Sequence, residues 1–226
     1  MPTVIMRPGV KVAILIDGGF FIKRYRKLYN GWDHSPEQVA KELVRMCNSH
    51  IAENDYLYRI FYYDCHPLQK KAHNPITGKA VDFSKSEAAK FRLQLFEELK
   101  KKRKIALRLG YLKSSNHWII SPERTKDLLK GSLGVSDLSE EDVTYQIQQK
   151  SVDMKIGLDI ASLSFKDYVE KIILISGDGD FVPAAKLARR EGVDFVLDPM
   201  WNNIDDSLFE HIDGLKSTSP RPRSRN

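Results

Sequence analysis

No stretch of the 226-residue sequence approaches the roughly 18 consecutive apolar residues of a membrane span, and its N-terminus lacks the apolar core of a secretory leader. Cysteine is scarce. Cys47 and Cys65 are the only two, too few for a disulfide scaffold, so a reduced, cytoplasmic setting is expected. Neither they nor His50, His66 and His73 show zinc-finger spacing. There is no G-x-x-x-x-G-K-[ST] phosphate loop, no G-x-G-x-x-G dinucleotide fingerprint and no legible nucleophilic triad. Gly177-Asp178-Gly179 followed by Asn202-Asn203 mimics a thiamine-diphosphate motif, but the chain is too short for the two domains that cofactor requires. Acids are missing after Asp213, where Lys216, Arg221, Arg223 and Arg225 supply four of the six surplus positive charges. The body of the protein is therefore only mildly basic, which permits a polyanionic partner without requiring one.

What is present is an ordinary globular composition, 42% hydrophobic and 29% charged, with enough chain for a substantial core. Val12-Ala13-Ile14-Leu15-Ile16 is a continuous apolar run ending at Asp17-Gly18-Gly19, the pattern of a strand buried on both faces. Lys171-Ile172-Ile173-Leu174-Ile175 repeats it and ends at Ser176-Gly177-Asp178-Gly179-Asp180. Tyr56 to Tyr63, Ile105 to Leu109 and Val193 to Leu197 read as further strands. Helices are expected from Phe21 to Tyr29, after Ser35-Pro36, from Glu87 to Lys104, after Ser121-Pro122, along the Val152, Ile156, Ile160 and Leu163 face, from the Asp180 turn to Arg190, and from Asp205 to Ile212. Strands alternating with helices predict an α/β fold, a three-layer, doubly wound, mainly parallel sheet. The reading is a single domain over residues 1–214 with polar inserts near 65–85 and 111–141, the second holding a hairpin-like excursion and a short helix. Residues 215–226 read as a basic, flexible tail.

Both core strands end in carboxylates, Asp17 after the first and Asp178 and Asp180 after the second. In open parallel sheets functional groups gather at the carboxyl ends of strands, so residues distant in sequence meet there. Asp153, near the start of a helix, is a plausible fourth member. Four converging carboxylates repel one another unless a divalent cation neutralises them, and hard oxygen ligands suit Mg²⁺ or Mn²⁺. Such ions activate water and stabilise charge on a phosphodiester, which predicts a metal-dependent phosphodiester hydrolase. Each element also has a structural alternative. Asp17-Gly18-Gly19 is equally a strand-to-helix turn, the Ser176 to Asp180 segment equally a helix cap, and Asp153 taken alone reads first as a solvated helix residue. Asp159 shares the inward face of Val152, an unusual polar member of an apolar stripe, and is a further candidate metal ligand, its alternative being to cap a neighbouring backbone.

Ile14-Leu15-Ile16-Asp17-Gly18-Gly19, Lys150-Ser151-Val152-Asp153 and Ile175-Ser176-Gly177-Asp178-Gly179-Asp180-Phe181 resemble, in order, the three signatures of NYN domains, most closely the LabA-like branch. These are relatives of the PIN-domain ribonucleases. The resemblance implies a PIN-like fold and endoribonuclease activity dependent on Mg²⁺ or Mn²⁺. It gives Asp17, Asp153, Asp178 and Asp180 the acidic metal-site and catalytic roles, with Asp17 and Asp178 as direct ligands. Asp153 and Asp180 would ligate, hold a metal-bound water or serve as base, and Asp64 corresponds to a further acid of some members. Many members carry an asparagine two or three residues after the first aspartate, where this chain has Gly19-Phe20.

Lys23, Arg24, Arg26 and Lys27 interleave with Phe20, Phe21, Tyr25 and Tyr29, a mixture suited to single-stranded or looped RNA. The alternative is an amphipathic helix with buried aromatics. Lys150 and Ser176 are further candidates for phosphate contact. The basic run Lys100 to Lys104 sits at a helix C-terminus, where cations complement the dipole in any case. The expected partner is RNA rather than a membrane, with homo-oligomerisation left open. Two rivals stand beside this reading: a metal-dependent phosphohydrolase acting on DNA or nucleotides, and an RNA-binding regulatory module that no longer cleaves.

Overall fold

The computed structural model describes residues 9–222; residues 1–8 and 223–226 lie outside it, and with them Arg223 and Arg225 of the expected tail. The first elements are β1 (Lys11–Asp17), α1 (Gly18–Leu28), α2 (Pro36–Asn48), β2 (Tyr56–Cys65), β3 (Lys71–His73), β4 (Ala80–Asp82) and α3 (Glu87–Lys100). They are followed by β5 (Ile105–Ile120), α4 (Pro122–Leu129), β6 (Val143–Lys150), α5 (Val152–Phe165), β7 (Lys171–Ile175), α6 (Val182–Arg190), β8 (Asp194–Asp198), α7 (Asp206–Phe209) and β9 (Gly214–Leu215). The central sheet has seven strands in the order β6-β5-β2-β1-β7-β8-β9 and is flanked by helices. β2, β1, β7, β8 and β9 run parallel, while β5 and β6 are antiparallel.

By contact density the chain forms two compact units. Among the described residues, the first comprises those through Asp64, Gln94–Leu109 and those from Ser151; the second comprises Cys65–Leu93 and Gly110–Lys150. The core of the first unit lies where composition places it. Val12 to Ile16 and Leu174 to Ile175 are completely buried, as central parallel strands covered on both faces must be. Each Val, Leu or Ile side chain among them contributes about 1.5–3 kcal/mol on burial. α2 opens as its sequence requires: Ser35 accepts from Gln38 N, Gln38 accepts from Ser35 N, and Pro36 occupies the first turn. α5 buries Val152, Ile156, Ile160 and Leu163, the face its spacing defines.

In the second unit β3 and β4 pair as a small antiparallel ladder, so residues 65–85 are not a structureless loop. The expected strand and excursion after Ile105 form one 16-residue strand, β5, which pairs with β6 across an irregularity between Ser114 and Trp118. Phe83, Trp118 and Tyr145 pack together there, Phe83 stacking on Tyr145 at 4.8 Å between ring centres.

The segment after Gly214 corrects the reading of a flexible tail. Gly214–Leu215 adds a strand beside β8, and Lys216 N donates to Leu197 O. Thr218 donates to the Asp198 carboxylate and to Met46 O, and Ser219 O accepts from the Trp201 indole. The carbonyls and donors along β8 are strong hydrogen-bonding groups, and this short segment satisfies them.

Candidate active site

Because β2, β1, β7 and β8 are parallel neighbours, their C-terminal ends fall along one edge of the sheet. Each end carries an aspartate: Asp64 in β2, Asp17 in β1, Asp178 just beyond β7 and Asp198 in β8. Asp17 also caps α1, its Oδ1 accepting from Phe20 N at 3.0 Å. The turn after it leaves no space for a side chain. A Cβ on Gly18 would stand 2.6 Å from both the Tyr62 ring and Tyr63 O. Asp178 accepts from Asp180 N at 3.0 Å, which folds the acidic turn back on itself and exposes both carboxylates. Asp153 stands in the first turn of α5, where the helix dipole favours negative charge. Asp64 is completely buried and accepts from the Tyr62 hydroxyl at 3.5 Å.

These acids act on one another. Burial pushes the Asp17 carboxyl up to about 6; the negative charges of Asp153 and Asp64 add to that, against the opposing N–H groups of Phe20 and Gly19. Burial also raises Asp153, helped by the charges of Asp178 and Asp180. Every influence that shifts Asp153 shifts it upward. Asp153 therefore links Asp17 on one side to the Asp178 turn on the other. The linkage is pairwise: among the described residues, no three or more His, Cys, Asp or Glu side chains are grouped to hold a metal ion.

The structure assigns other tasks to several expected site residues. Asp159 accepts from the Tyr63 hydroxyl at 2.7 Å and Arg108 Nε at 3.1 Å, so the polar member of the α5 stripe holds β2 and β5. Ser176 is fully buried, its Oγ accepting from Asp178 N at 3.4 Å. Arg24 is a correction to the RNA-binding face. It is 7% exposed, and its Nε donates to Met200 O at 3.0 Å, with Nη2 on the same oxygen. Phe21 and Tyr25 are buried, and Tyr29 stacks on Tyr25 at 4.6 Å, so α1 buries most of its aromatics. Lys23 and Lys27 remain exposed, and Arg26 covers the Trp32 ring at 5.0 Å. Lys150 closes β6 in the second unit and is exposed.

The family model for the NYN domain matches residues 11–208, nearly the whole described chain. The chain belongs to the NYN domain family. NYN domains lie within the PIN-like nuclease superfamily; they are generally hydrolases, act on RNA and typically use divalent metal ions. Among solved structures, the chain is similar to a protein of unknown function from Vibrio parahaemolyticus, with 14% identity, 92% of this chain and 93% of that one covered, and a TM-score of 0.43. No curated protein matches the sequence.

Within this NYN domain, the donor chemistry fits a hard divalent cation. Asp17, Asp153, Asp178 and Asp180 offer carboxylate oxygens whose mutual repulsion is what such an ion relieves. Sequence reasoning missed three residues on the same edge. Asp198 ends β8 but is spent on internal hydrogen bonds with His50 and Met200 N. Asn202 and Asp205 come from the loop after β8: a Cβ on Gly177 would lie 3.2 Å from Asn202 Nδ2, and one on Gly179 would lie 3.4 Å from Asp205 Cβ. Nothing in the local pattern places that loop at the site, because the approach depends on the register of β8 beside β7. Asp153 and Asp180 also share a groove of about 430 Å³ whose walls include Met154, Phe181, Pro183 and Leu187.

Proposed function

We propose that this protein is an endoribonuclease of the LabA-like branch, hydrolysing RNA phosphodiesters with Mg²⁺ or Mn²⁺ at the aspartate cluster. The observation that carries the reading is the electrostatic chain from Asp17 through Asp153 to Asp178 and Asp180 at the sheet edge of an NYN domain. Asp17 and Asp178, fixed by their own capping hydrogen bonds, are the residues to hold the metal. A bound ion would neutralise the attacking and leaving oxygens and lower the pKa of water. Asp153 and Asp180 are exposed and serve to orient the attacking water, with Asp153 taking its proton. The groove beside them offers an apolar wall to a base of single-stranded or looped RNA, while Lys23 and Lys27 attract the backbone.

A second reading, an RNA-binding regulatory module with weak catalysis, is favoured by Phe20. Its ring packs against Gly177, and a Cβ there would lie 2.7 Å from Phe20 Cε2. Many family members carry an asparagine near this point of the chain. Cleavage of single-stranded RNA, single-stranded DNA and mononucleotides in Mn²⁺, with Asp17→Asn and Asp178→Asn as controls, separates the readings. RNA cleavage lost in both variants supports the nuclease. Retained activity in both, or preferred turnover of DNA or nucleotides, overturns it. RNA binding in EDTA without turnover in Mn²⁺ establishes the second reading.

A further inference from the structure

The loop after β8 is built under strain and held from every side. Met200 and Trp201, neither of them glycine, take left-handed backbone angles in succession, φ 47° and 59°. Such backbone is strained and persists only where its surroundings fix it. The surroundings here do so. Met200 N donates to Asp198 Oδ1 at 2.7 Å, and Met200 O receives the buried Arg24 guanidinium. Trp201 N donates to Ser217 Oγ at 3.1 Å, the indole N–H donates to Ser219 O at 2.9 Å, and Asn202 N closes the turn on Pro199 O at 2.8 Å.

What the strained turn presents is Asn202. Its side chain is exposed, so no core packing requires it. Yet it stands against Gly177, one residue before Asp178, where the absence of a Cβ leaves room for it and for Phe20. One N–H of the carboxamide donates to Asn203 O at 3.1 Å, which fixes its orientation. Among the described residues, no partner takes the second N–H. A neutral donor beside the turn that carries Asp178 can approach an anionic phosphate oxygen without adding negative charge, and a donor to a charged oxygen makes one of the stronger hydrogen bonds.

We infer that Asn202 is a substrate-positioning residue whose carboxamide donates to a backbone phosphate oxygen of the bound strand, and that the strain at Met200 and Trp201 exists to hold it there. The inference rests on the nucleic-acid reading of the same site. It assigns to a loop after the fourth parallel strand a polar contact that Gly19-Phe20 does not provide after the first.

The test compares wild type, Asn202→Ala and Asn202→Asp. Binding of a fluorescently labelled single-stranded oligoribonucleotide and its deoxy counterpart is measured by anisotropy in EDTA. Cleavage kinetics in Mn²⁺ and thermal melting are measured alongside. Asn202→Ala is expected to weaken binding of both oligonucleotides about tenfold and to raise KM similarly, with kcat changed by less than about twofold and melting unchanged. Asn202→Asp, which keeps the shape but replaces the donor with a charge, should weaken binding further. Unchanged affinity and KM in Asn202→Ala would overturn the proposal. So would a lowered melting temperature in both variants, since loss of the donation to Asn203 O then marks a loop scaffold. A loss confined to the ribonucleotide would overturn the phosphate assignment in favour of the ribose hydroxyl. If wild type binds without cleaving and Asn202→Ala still weakens binding, the nuclease reading fails and this one stands. If wild type cleaves and Asn202→Ala behaves like it, the reverse holds. If wild type binds neither strand and cleaves none, both fall.

Discussion

Asp17 and Asp198 end parallel strands separated only by β7, and the two ends are built in opposite ways. Asp198 is completely buried, yet its oxygens accept from Met200 N at 2.7 Å, His50 Nε2 at 2.9 Å, Thr218 N at 3.2 Å and Thr218 Oγ1 at 3.4 Å. Asp17 is less buried and receives only backbone N–H groups, while Asp153 and Asp64 press on it with like charge. One carboxylate is consumed in holding α2, the strained loop and the C-terminal segment together. The other is left under electrostatic stress that an added cation would relieve. A deficit of donors thus sets Asp17 apart from Asp198, where position at the sheet edge does not.

The largest expected effect sharpens the functional side of this contrast. Asp17→Asn and Asp178→Asn should each reduce Mn²⁺-stimulated RNA cleavage by about 10²–10³-fold or more, read as initial rates on a fixed oligonucleotide. Asp198→Ala should do its damage to stability. Removing one partner from a buried, hydrogen-bonded cluster costs about 3–5 kcal/mol, visible as a lower urea midpoint at unchanged m. A variant as stable as wild type would erase the distinction between the two ends.

The third prediction turns the contrast around. The raised Asp17 carboxyl, about 6 against an ordinary 3.8, means that the folded state binds this proton more tightly than the unfolded chain. Its ionisation therefore opposes folding: there is no penalty below pH 3.8, a growing one between the two values, and the full penalty above about pH 6. In EDTA at pH 7.5, Asp17→Asn, which can still cap α1 through its amide oxygen, should be more stable than wild type by about 3 kcal/mol. That gain should vanish on titration below pH 3.8. A gain independent of pH would show that charge is not its source.

Smaller effects are expected away from the site. Asp159→Asn loosens the contacts with Tyr63 and Arg108 and should cost about 1 kcal/mol with cleavage intact. A loss of activity comparable to that of Asp17→Asn would return Asp159 to the metal site. Lys100 and Lys101 already pair with Glu97 and Glu98 on the same helix face at 2.6 Å. Reversing both to glutamate should change RNA affinity by less than about twofold at physiological salt, and a steep loss would place the run on the binding face.

How much of this could be read from the chain differs by region. β1 and β7 are unmistakable because a strand buried on both faces must be apolar throughout. β6 escapes notice because only Val143 and Tyr145 of Val143–Lys150 are buried, which leaves a run that looks like polar loop. β5 appears broken because Gly110 and Ser114-Ser115-Asn116 interrupt its pattern, and Asn116 is left-handed at φ 64°. Of the site, the aspartates are visible as strand-end acids. The different duties of Asp159, Ser176 and Arg24 are not, since each depends on a partner remote in sequence or on burial.

The small surplus of positive charge and the scarcity of cysteine said little about chemistry. The sequence alone determined that two fully apolar strands would form the heart of a parallel sheet and that acids would follow them, because strand burial and turn chemistry are local properties. Only the tertiary structure decided which acids stay in need of a partner. The hydrogen-bond donors that satisfy Asp198 and Asp159 arrive from the turn after α2, β2, β5 and the C-terminal segment, and no local pattern encodes their arrival. The same holds for Asn202, which reaches Gly177 only because β8 lies beside β7 and Arg24 grips the intervening turn.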